Sequence, residues 1–376
     1  MRSIKQLAVK MGCGSVGTLA LLDDRIVTFE YSAEWLSDGF SISPFSLPLE
    51  KKVFIPKYDS FKGVFGIFAD SLPDGWGRLL LDRYLAQQRI DPAIVSEITR
   101  LAIVGDSGLG ALRYEPSLNL DTPLPPFTLD ELAQDALGIL RNDETTNLDV
   151  LFELGGSSGG ARPKIMLDID GEDWIIKFSS HLDAPNIGEQ EFAYSQCARA
   201  CGIAMSATRL FPSKRHAGYF GTKRFDRVRG ADGSTKRIHM ASVSALLETS
   251  HRYPTLDYRT LMKLTLELTR DFEQVKQMYR LMCFNVFAHN RDDHAKNFSF
   301  LYEDNRWNLS PAYDLTYSVS VGGEHATTID GNGKDPDRED LLAVAQSIGL
   351  SRRWSDVVAS EIEGIVDAML GQRKLG

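Results

Sequence analysis

The chain has 376 residues, 43% hydrophobic and 25% charged, which is long enough for two or three domains that each bury a core. Its formal net charge of -9 argues against gripping nucleic acid by general electrostatics. No apolar run reaches the roughly 18 residues of a membrane helix, and Met1-Arg2-Ser3-Ile4-Lys5 lacks the apolar run and small-residue cleavage site of a signal peptide. A cytoplasmic protein without a membrane partner is expected.

Residues 1 to about 60 read as short strands broken by turns, with 16–22 and 25–31 on either side of the Asp23-Asp24 turn. Apolar residues at three- and four-residue spacing then predict helices over 77–85 and 94–104. The proline-rich, polar stretch 116–126 is a linker candidate. Thr128-Leu-Asp-Glu131 has the form of a capping box and opens a helix through Leu140. The glycine-rich string Gly155-Gly-Ser-Ser-Gly-Gly160 leads into an apolar stretch at 164–169, an Asp170-Gly171 turn and a second stretch at 174–178. This is a loop beside a β-hairpin. Residues 189–201 are helical and stop at Gly202. Their Cys197 and Cys201 have no nearby His or Cys, so they read as packing residues, and Cys13 and Cys283 stand apart. A strand is expected over 219–225, inside a basic stretch from Lys214 to Arg237 that reads as the solvated edge of a hairpin before it reads as a DNA footprint. Residues 258–288 carry a long helical pattern, taken as two core helices.

The richest string is His-Asn-Arg-Asp-Asp-His-Ala-Lys-Asn-Phe-Ser at 289–299. Asp292 precedes Asn297 by five residues, with Arg291 just before it. A kinase catalytic loop needs that order: a carboxylate accepts the proton of the substrate hydroxyl, and an amide oxygen reaches magnesium. Asp314, in Pro311-Ala-Tyr-Asp314, would add the anionic oxygen ligand that magnesium prefers. Each aspartate alone is equally well a turn or cap residue; their order and spacing together favour the site. Upstream, Lys177 closes an apolar strand, which suits a lysine on the α- and β-phosphates of ATP held by a helix carboxylate. Glu191 is the first choice for that carboxylate and Glu189 the second.

The glycine string has three readings. Backbone amides at Ser157, Ser158, Gly159 and Gly160, with Lys164, can cradle phosphates. Gly155, Ser157 and Gly159 also match the G-x-S-x-G elbow of a serine hydrolase, with only His325 as a late base, but that elbow opens a helix and not a hairpin. A mobile linker is the third. Phosphate contact leads. Main-chain groups near Lys223 and Phe225 suit adenine, and Asp226 suits either the ribose or a surface ion-pair network.

Taken together, these residues resemble the HipA-type toxins of bacterial toxin–antitoxin systems over nearly the whole chain. Residues 65–78, containing Ala-Asp-Ser-Leu-Pro-Asp-Gly-Trp-Gly-Arg78, are similar to the family's N-terminal signature. Residues 105–116 follow its next block, and Asp292-Asp-His-Ala-Lys-Asn-Phe-Ser299 and Pro311-Ala-Tyr-Asp314 match its catalytic core. The resemblance implies an α+β chain with a protein-kinase-like two-lobed fold and an added N-terminal α/β subdomain. The expected division is a subdomain at 1–120 that contacts the antitoxin, an N-lobe at 145–225 and a helical C-lobe at 226–376.

It further implies a serine/threonine protein kinase dependent on ATP and Mg2+. Asp292 would be the base, Asn297 and Asp314 the metal ligands, and Lys177 the phosphate lysine, with His294 among the nucleotide contacts. A helix-turn-helix antitoxin of HipB type would inhibit it and carry the complex to operator DNA. Characterised members attack aminoacyl-tRNA synthetases. The family autophosphorylates a serine in its glycine-rich loop; counting back seven residues from Lys164 gives Ser157, with Ser158 beside it. Pro163 departs from the more polar residues of familiar members and lacks an amide donor. A small-molecule or lipid-type kinase, sharing the Asp292, His294, Asn297 pattern, and a non-catalytic antitoxin-binding module are the competing readings.

Overall fold

A computed structural model describes residues 4–118, 124–143, 147–250 and 255–371. By internal contacts these fall into two compact units. The first takes the described residues through Gly188 together with Leu210–Ala241 and Ala245–Thr249; the second takes Glu189–Arg209, Ser242–Ser244 and the described residues from Ser250 on. Part of the expected linker, residues 119–123, lies outside the described residues.

The first unit opens with an antiparallel sheet of β1 (Gln6–Met11), β2 (Gly14–Leu22), β3 (Ile26–Tyr31), β4 (Val53–Phe54) and β5 (Leu112–Glu115), in the order β4-β3-β2-β1-β5. Leu7, Val9, Leu19, Val27 and Phe29 point into its core, the alternation that a half-buried strand requires. Asp23 and Asp24 both adopt positive φ in the β2–β3 turn, a conformation Asp tolerates better than most residues. Helices α1 (Ala33–Asp38), α2 (Gly66–Ala69), α3 (Gly75–Gln87) and α4 (Glu97–Val104) lie between β3 and β5 in the chain. The helix expected over 94–104 starts later, because Ser96 caps α4 by accepting the Thr99 amide and Pro92–Ile94 forms a separate 3-10 turn.

Next come α5 (Leu129–Leu140), opened by the Thr128–Glu131 capping box, and α6 (Leu148–Gly155). A sheet follows from β6 (Lys164–Ile169), β7 (Glu172–Lys177), β8 (Thr208–Phe211) and β9 (Tyr219–Lys223), ordered β6-β7-β9-β8. The Asp170-Gly171 turn sets the register, Ile169 opposite Glu172 and so on to Lys164 opposite Lys177. Trp76 and Leu80 of α3 share one core with Leu132, Leu151, Ile165, Trp174 and Ile176. The N-terminal signature is therefore packed directly against the glycine loop and its hairpin. Trp76 donates its amide to Gly160 O (2.8 Å) and its indole N–H to Lys164 O (3.1 Å).

β10 (Arg227–Arg229), β11 (Thr235–Arg237) and β12 (His239–Ser242) complete the strands of this unit. The basic hairpin exists, but three of its arginines are not solvated. Arg224 and Arg227 converge on Asp226, which is 2% exposed and also accepts the Gly110 amide at 2.7 Å. Arg227 and Arg237 donate to the carbonyls of Gly108 and Gly110. The strand expected to reach Phe225 stops at Lys223 because the chain turns inward to make this network. This corrects the assignment of Asp226 to a ribose: its oxygens are committed to four donors away from solvent.

The second unit is mostly helical: all but the first two residues of α7 (Ile187–Ala200), the first half of α8 (Val243–Leu246), α9 (Tyr258–Thr269), α10 (Phe272–Phe287), α11 (Arg338–Ser347) and α12 (Arg352–Leu370). The short parallel pair β13 (Leu256–Asp257) and β16 (Thr327–Thr328) and the hairpin β14 (Ser299–Glu303) with β15 (Arg306–Leu309) complete it. Met262, Met278, Met282, Phe284, Ile362 and Val366 fill its core, and Cys197, Cys201 and Cys283 are buried free thiols. Among the described residues no helix is long and apolar enough to cross a membrane.

Two stability experiments follow. Burial raises the Asp226 carboxyl, but Arg224 and Arg227 outweigh it and hold the group at about 2. Asp226→Ala should cost about 3–5 kcal/mol by leaving two arginines buried without a counter-charge. A depressed carboxylate contributes fully above its unfolded pKa of about 3.9 and loses that contribution as pH falls through the folded value. The gap between wild type and variant in urea melts should therefore close between about pH 4 and about pH 2. Gly77 gives the second test, since a Cβ there would sit 2.1 Å from Ser158 O. Gly77→Ala should lower stability by about 1–3 kcal/mol from overpacking, against the gain of about 1 kcal/mol that alanine brings to an open helix. Calorimetric melting reads the sign.

Candidate active site

In the second unit, α10 ends at Phe287 and the chain reverses through His289, which has φ +52. The loop that follows exposes Asp292, whose side chain is 58% accessible, with His294 Nε2 at 3.8 Å from one carboxylate oxygen. His294 also caps the turn Ala295–Asn297, its Nδ1 accepting the Lys296 amide. Asn297 donates its side-chain N–H to Asp292 O at 2.7 Å. That bond ties the two ends of the loop and leaves the amide oxygen as the atom available to a cation.

The hairpin explains how Asp314, seventeen positions after Asn297, comes beside this loop. β14 and β15 pair antiparallel, and Ser310 N–H continues the ladder to Ser299 O (2.9 Å). Tyr313 then donates its hydroxyl to Lys296 O and accepts from Ser299 Oγ, both at 2.6 Å. Asp314 follows in the left-handed region at φ +57. Beyond it Ser318 N–H bonds His289 O and Ala326 N–H bonds Arg291 O, each at 3.0 Å. The segments bearing Asp292, Asn297 and Asp314 are thus drawn to one end of one hairpin. Their donors, an amide oxygen and a carboxylate, are the hard ligands that suit Mg2+. No cluster of three or more His, Cys, Asp or Glu forms a metal site among the described residues.

On α7, Glu191 is 3% exposed while Glu189 is exposed. A buried carboxylate requires cationic or hydrogen-bonding company.

In the first unit the glycine string runs from the end of α6 into β6. That is helix–loop–strand, the reverse of a nucleophile elbow, and the hydrolase reading fails on it. Ser157 is half-buried and donates its hydroxyl to Ser107 O at 3.0 Å. Ser158 is 1% exposed, and both its hydroxyl (2.6 Å) and its amide (3.0 Å) bond Gly155 O. Its assignment as a nucleotide contact is corrected accordingly, since its donors are used inside the loop. The Gly160 amide is likewise given to the Asp74 carboxylate, so it is not an open phosphate donor. Gly159 lies against the same carboxylate, where a Cβ would meet Asp74 Oδ1 at 3.0 Å.

Lys164 and Lys177 sit directly opposite each other at the open end of the β6–β7 hairpin, each 9% exposed. Directly opposed residues share a face. Two ammonium groups on one face are donors of the kind that suit phosphate. Lys177 Nζ also lies 5.6 Å from the Phe220 ring centre. Lys223 pairs its ammonium with Glu172 at 2.6 Å, and Phe225 is half-buried. Sequence reasoning missed the Asp74 and Trp76 contacts, which link segments about 85 residues apart. It also missed the lysine pair, although the Asp-Gly turn fixes that register.

Two family models match the chain: the HipA N-terminal domain over residues 7–115 and the HipA-like C-terminal domain over 156–370. The serine/threonine-protein kinase toxin HipA of Shewanella oneidensis is 24% identical over 355 residues, covering 84% of this chain and 76% of that protein. Y4mE of Sinorhizobium fredii, described as a candidate kinase, is 28% identical over 324 residues, covering 78% of this chain and 73% of that protein. Among solved structures, the complex of HipA, HipB and operator DNA from the Shewanella oneidensis toxin–antitoxin system matches with a TM-score of 0.75 at 19% identity, over 98% of this chain and 91% of that one. The kinase-like two-lobed fold expected from the sequence is the fold of this chain. With the C-terminal model alone spanning more than half of its residues, the chain belongs to the HipA family.

Proposed function

We propose that this chain is a serine/threonine protein kinase that uses ATP and Mg2+ and acts as a toxin of the HipA type. What supports the reading is the Asn297–Asp292 bond together with the Tyr313 staple, which tie the segments of Asp292, Asn297 and Asp314 to one end of one hairpin. Asp292 accepts the proton of the acceptor hydroxyl as that oxygen attacks the γ-phosphorus. The new P–O bond forms as the bond to the β–γ bridging oxygen breaks, and ADP leaves. Asn297 and Asp314 hold the cation, which supplies charge neutralisation on the β- and γ-phosphates. Lys177 is assigned the α- and β-phosphates, Glu191 is kept as its expected helix carboxylate, and Lys164 supports the loop side. Main-chain groups at Lys223 and Phe225 remain the adenine candidates, and His294 keeps its place beside Asp292.

The regulatory part of the proposal has two elements. Ser157 is the autophosphorylation site, favoured over Ser158 by burial of the latter. A phosphoserine would carry about -1.5 to -2 charges next to the nucleotide phosphates; even one charge pair at about 4 Å costs about 4 kcal/mol at a surface-like dielectric. A helix-turn-helix antitoxin of HipB type, carrying the complex to operator DNA, is supported by the content of the similar Shewanella oneidensis complex. An aminoacyl-tRNA synthetase as acceptor rests on family resemblance alone.

Incubation with labelled ATP and Mg2+ tests the catalytic claim. Wild type should label itself and a protein acceptor, and Asp292→Asn should fall by about 10²–10⁴-fold. Asp314→Ala should lose activity that raised Mg2+ restores only in part. Transfer to small alcohols or lipids without protein labelling would favour the small-molecule kinase, and equal silence of wild type and Asp292→Asn would favour a non-catalytic antitoxin-binding module. Mass spectrometry should place the loop phosphate on Ser157, and Ser157→Ala should remain active without self-inactivation.

A further inference from the structure

The catalytic string carries two adjacent aspartates with opposite surroundings. Asp292 has a side chain 58% accessible, and the Asp293 side chain has none of its surface exposed. Asp293 Oδ2 accepts the Tyr258 hydroxyl and His325 Nδ1, both at 3.0 Å. Its Oδ1 accepts the Thr327 amide at 3.2 Å, and its main-chain carbonyl accepts the Thr327 hydroxyl. The network runs on through Asn285 Nδ2, which donates to Tyr258 Oη, and Asn290 Nδ2, which donates to Asn285 Oδ1, both at 2.9 Å. Tyr258, Asn285, Asn290, Thr327 and His325 are all at most 5% exposed.

We propose that Asp293 is the positioning residue of the catalytic loop, clamping it on one side to α9 and on the other to the segment that follows Asp314. This rests on the phosphotransfer reading and deepens it. Three considerations carry it. A carboxylate taken out of water costs several kcal/mol unless donors surround it, so a chain keeps one only where its bonds fix something. Here the donors come from α9 and from residues 325–327, which are far apart in sequence and are themselves joined by the β13–β16 pair. Asp293 is anchored inward while its neighbour Asp292 has a side chain 58% accessible, so the two carboxylates face different surroundings. The clamp also lies next to the backbone bonds that join 289–291 to 318 and 326, so one buried group holds both the base and the approach to the second metal ligand. The His325 ring, with Nδ1 at 3.0 Å from Asp293 Oδ2, serves to hold Asp293.

The experiment compares wild type, Asp293→Ala, Asp293→Asn and Tyr258→Phe for thermal melting, for kcat and KM with ATP, and for backbone amide exchange. Asp293→Ala should lower kcat by about 10- to 100-fold, the effect typical of losing an outer-shell partner, with KM for ATP little changed. Asp293→Asn keeps the shape and one acceptor oxygen and should recover part of that loss. Amide exchange over 289–297 and 318–327 should quicken by about tenfold or more in Asp293→Ala, as expected when bonds to a charged group are lost. If Asp293→Ala does not fold, Tyr258→Phe removes one donor at nearly constant volume and should show a smaller fall in kcat and faster exchange in the same two segments. A lower melting temperature with kcat per folded molecule and local exchange unchanged would overturn the proposal by reducing Asp293 to a general stability residue. A wild type without phosphotransfer would sink the kinase reading instead, and the exchange data would still decide whether Asp293 holds the loop.

Discussion

A charge removed from water must be met by fixed donors or an opposite charge, and much of this chain is arranged by that requirement. In the first unit Asp226 gathers Arg224, Arg227 and the Gly110 amide, which pulls the block 105–110 onto the strand-to-hairpin corner. In the second unit Asp293 gathers Tyr258, His325 and Thr327 beneath the loop at 289–297. The opposed pair Lys164 and Lys177 poses the same problem with the other sign.

The hairpin β14–β15 does the comparable work for geometry. An antiparallel pair returns the chain to the level at which it left, so residues just before β14 and just after β15 are neighbours. Asn297 and Tyr313 occupy those places, and two 2.6 Å bonds close the seam. A residue pattern spread over more than twenty positions thereby becomes local. Asp314 enters it with a positive φ, a conformation that costs a non-glycine residue energy and survives only where its surroundings over-determine it. The Tyr313 staple on one side and the His289–Ser318 bond on the other supply that constraint.

Local chemistry was readable from the sequence. The Asp170-Gly171 hairpin, the Thr128–Glu131 capping box, the break at Gly202 and the two helices of 258–288 all follow from residues within a few positions of one another. The spacing of Asp292 and Asn297 is local in the same sense, whereas Asp314 joins them only through the β14–β15 hairpin. What was not legible depends on partners distant in the chain. Asp226 looks as available as any surface aspartate until Gly108 and Gly110 are brought to its arginines. Ser158 looks equivalent to Ser157 until the loop's turn buries one and not the other. Asp293 reads as a turn residue beside the base, and nothing in its neighbours announces Tyr258 or His325.

Pro163 shows how such a long-range arrangement offsets a local loss. It removes an amide donor immediately before Lys164, and its own carbonyl accepts the Phe178 amide at 2.8 Å, extending the β6–β7 ladder by one step. Serine and glycine donors earlier in the loop are also turned inward, to Gly155, Ser107 and Asp74. Backbone amides therefore have less to give a triphosphate here than in a loop of open glycines. The burden shifts to ammonium groups, and the ladder extended by Pro163 is what keeps Lys164 and Lys177 in register at the hairpin mouth. A lysine is a point charge that tolerates varied phosphate positions, whereas a cradle of amides demands one. Under the proposed function, a triphosphate at this loop would meet ammonium groups more than open backbone amides, and its affinity should respond to salt more steeply than that of an amide-lined loop.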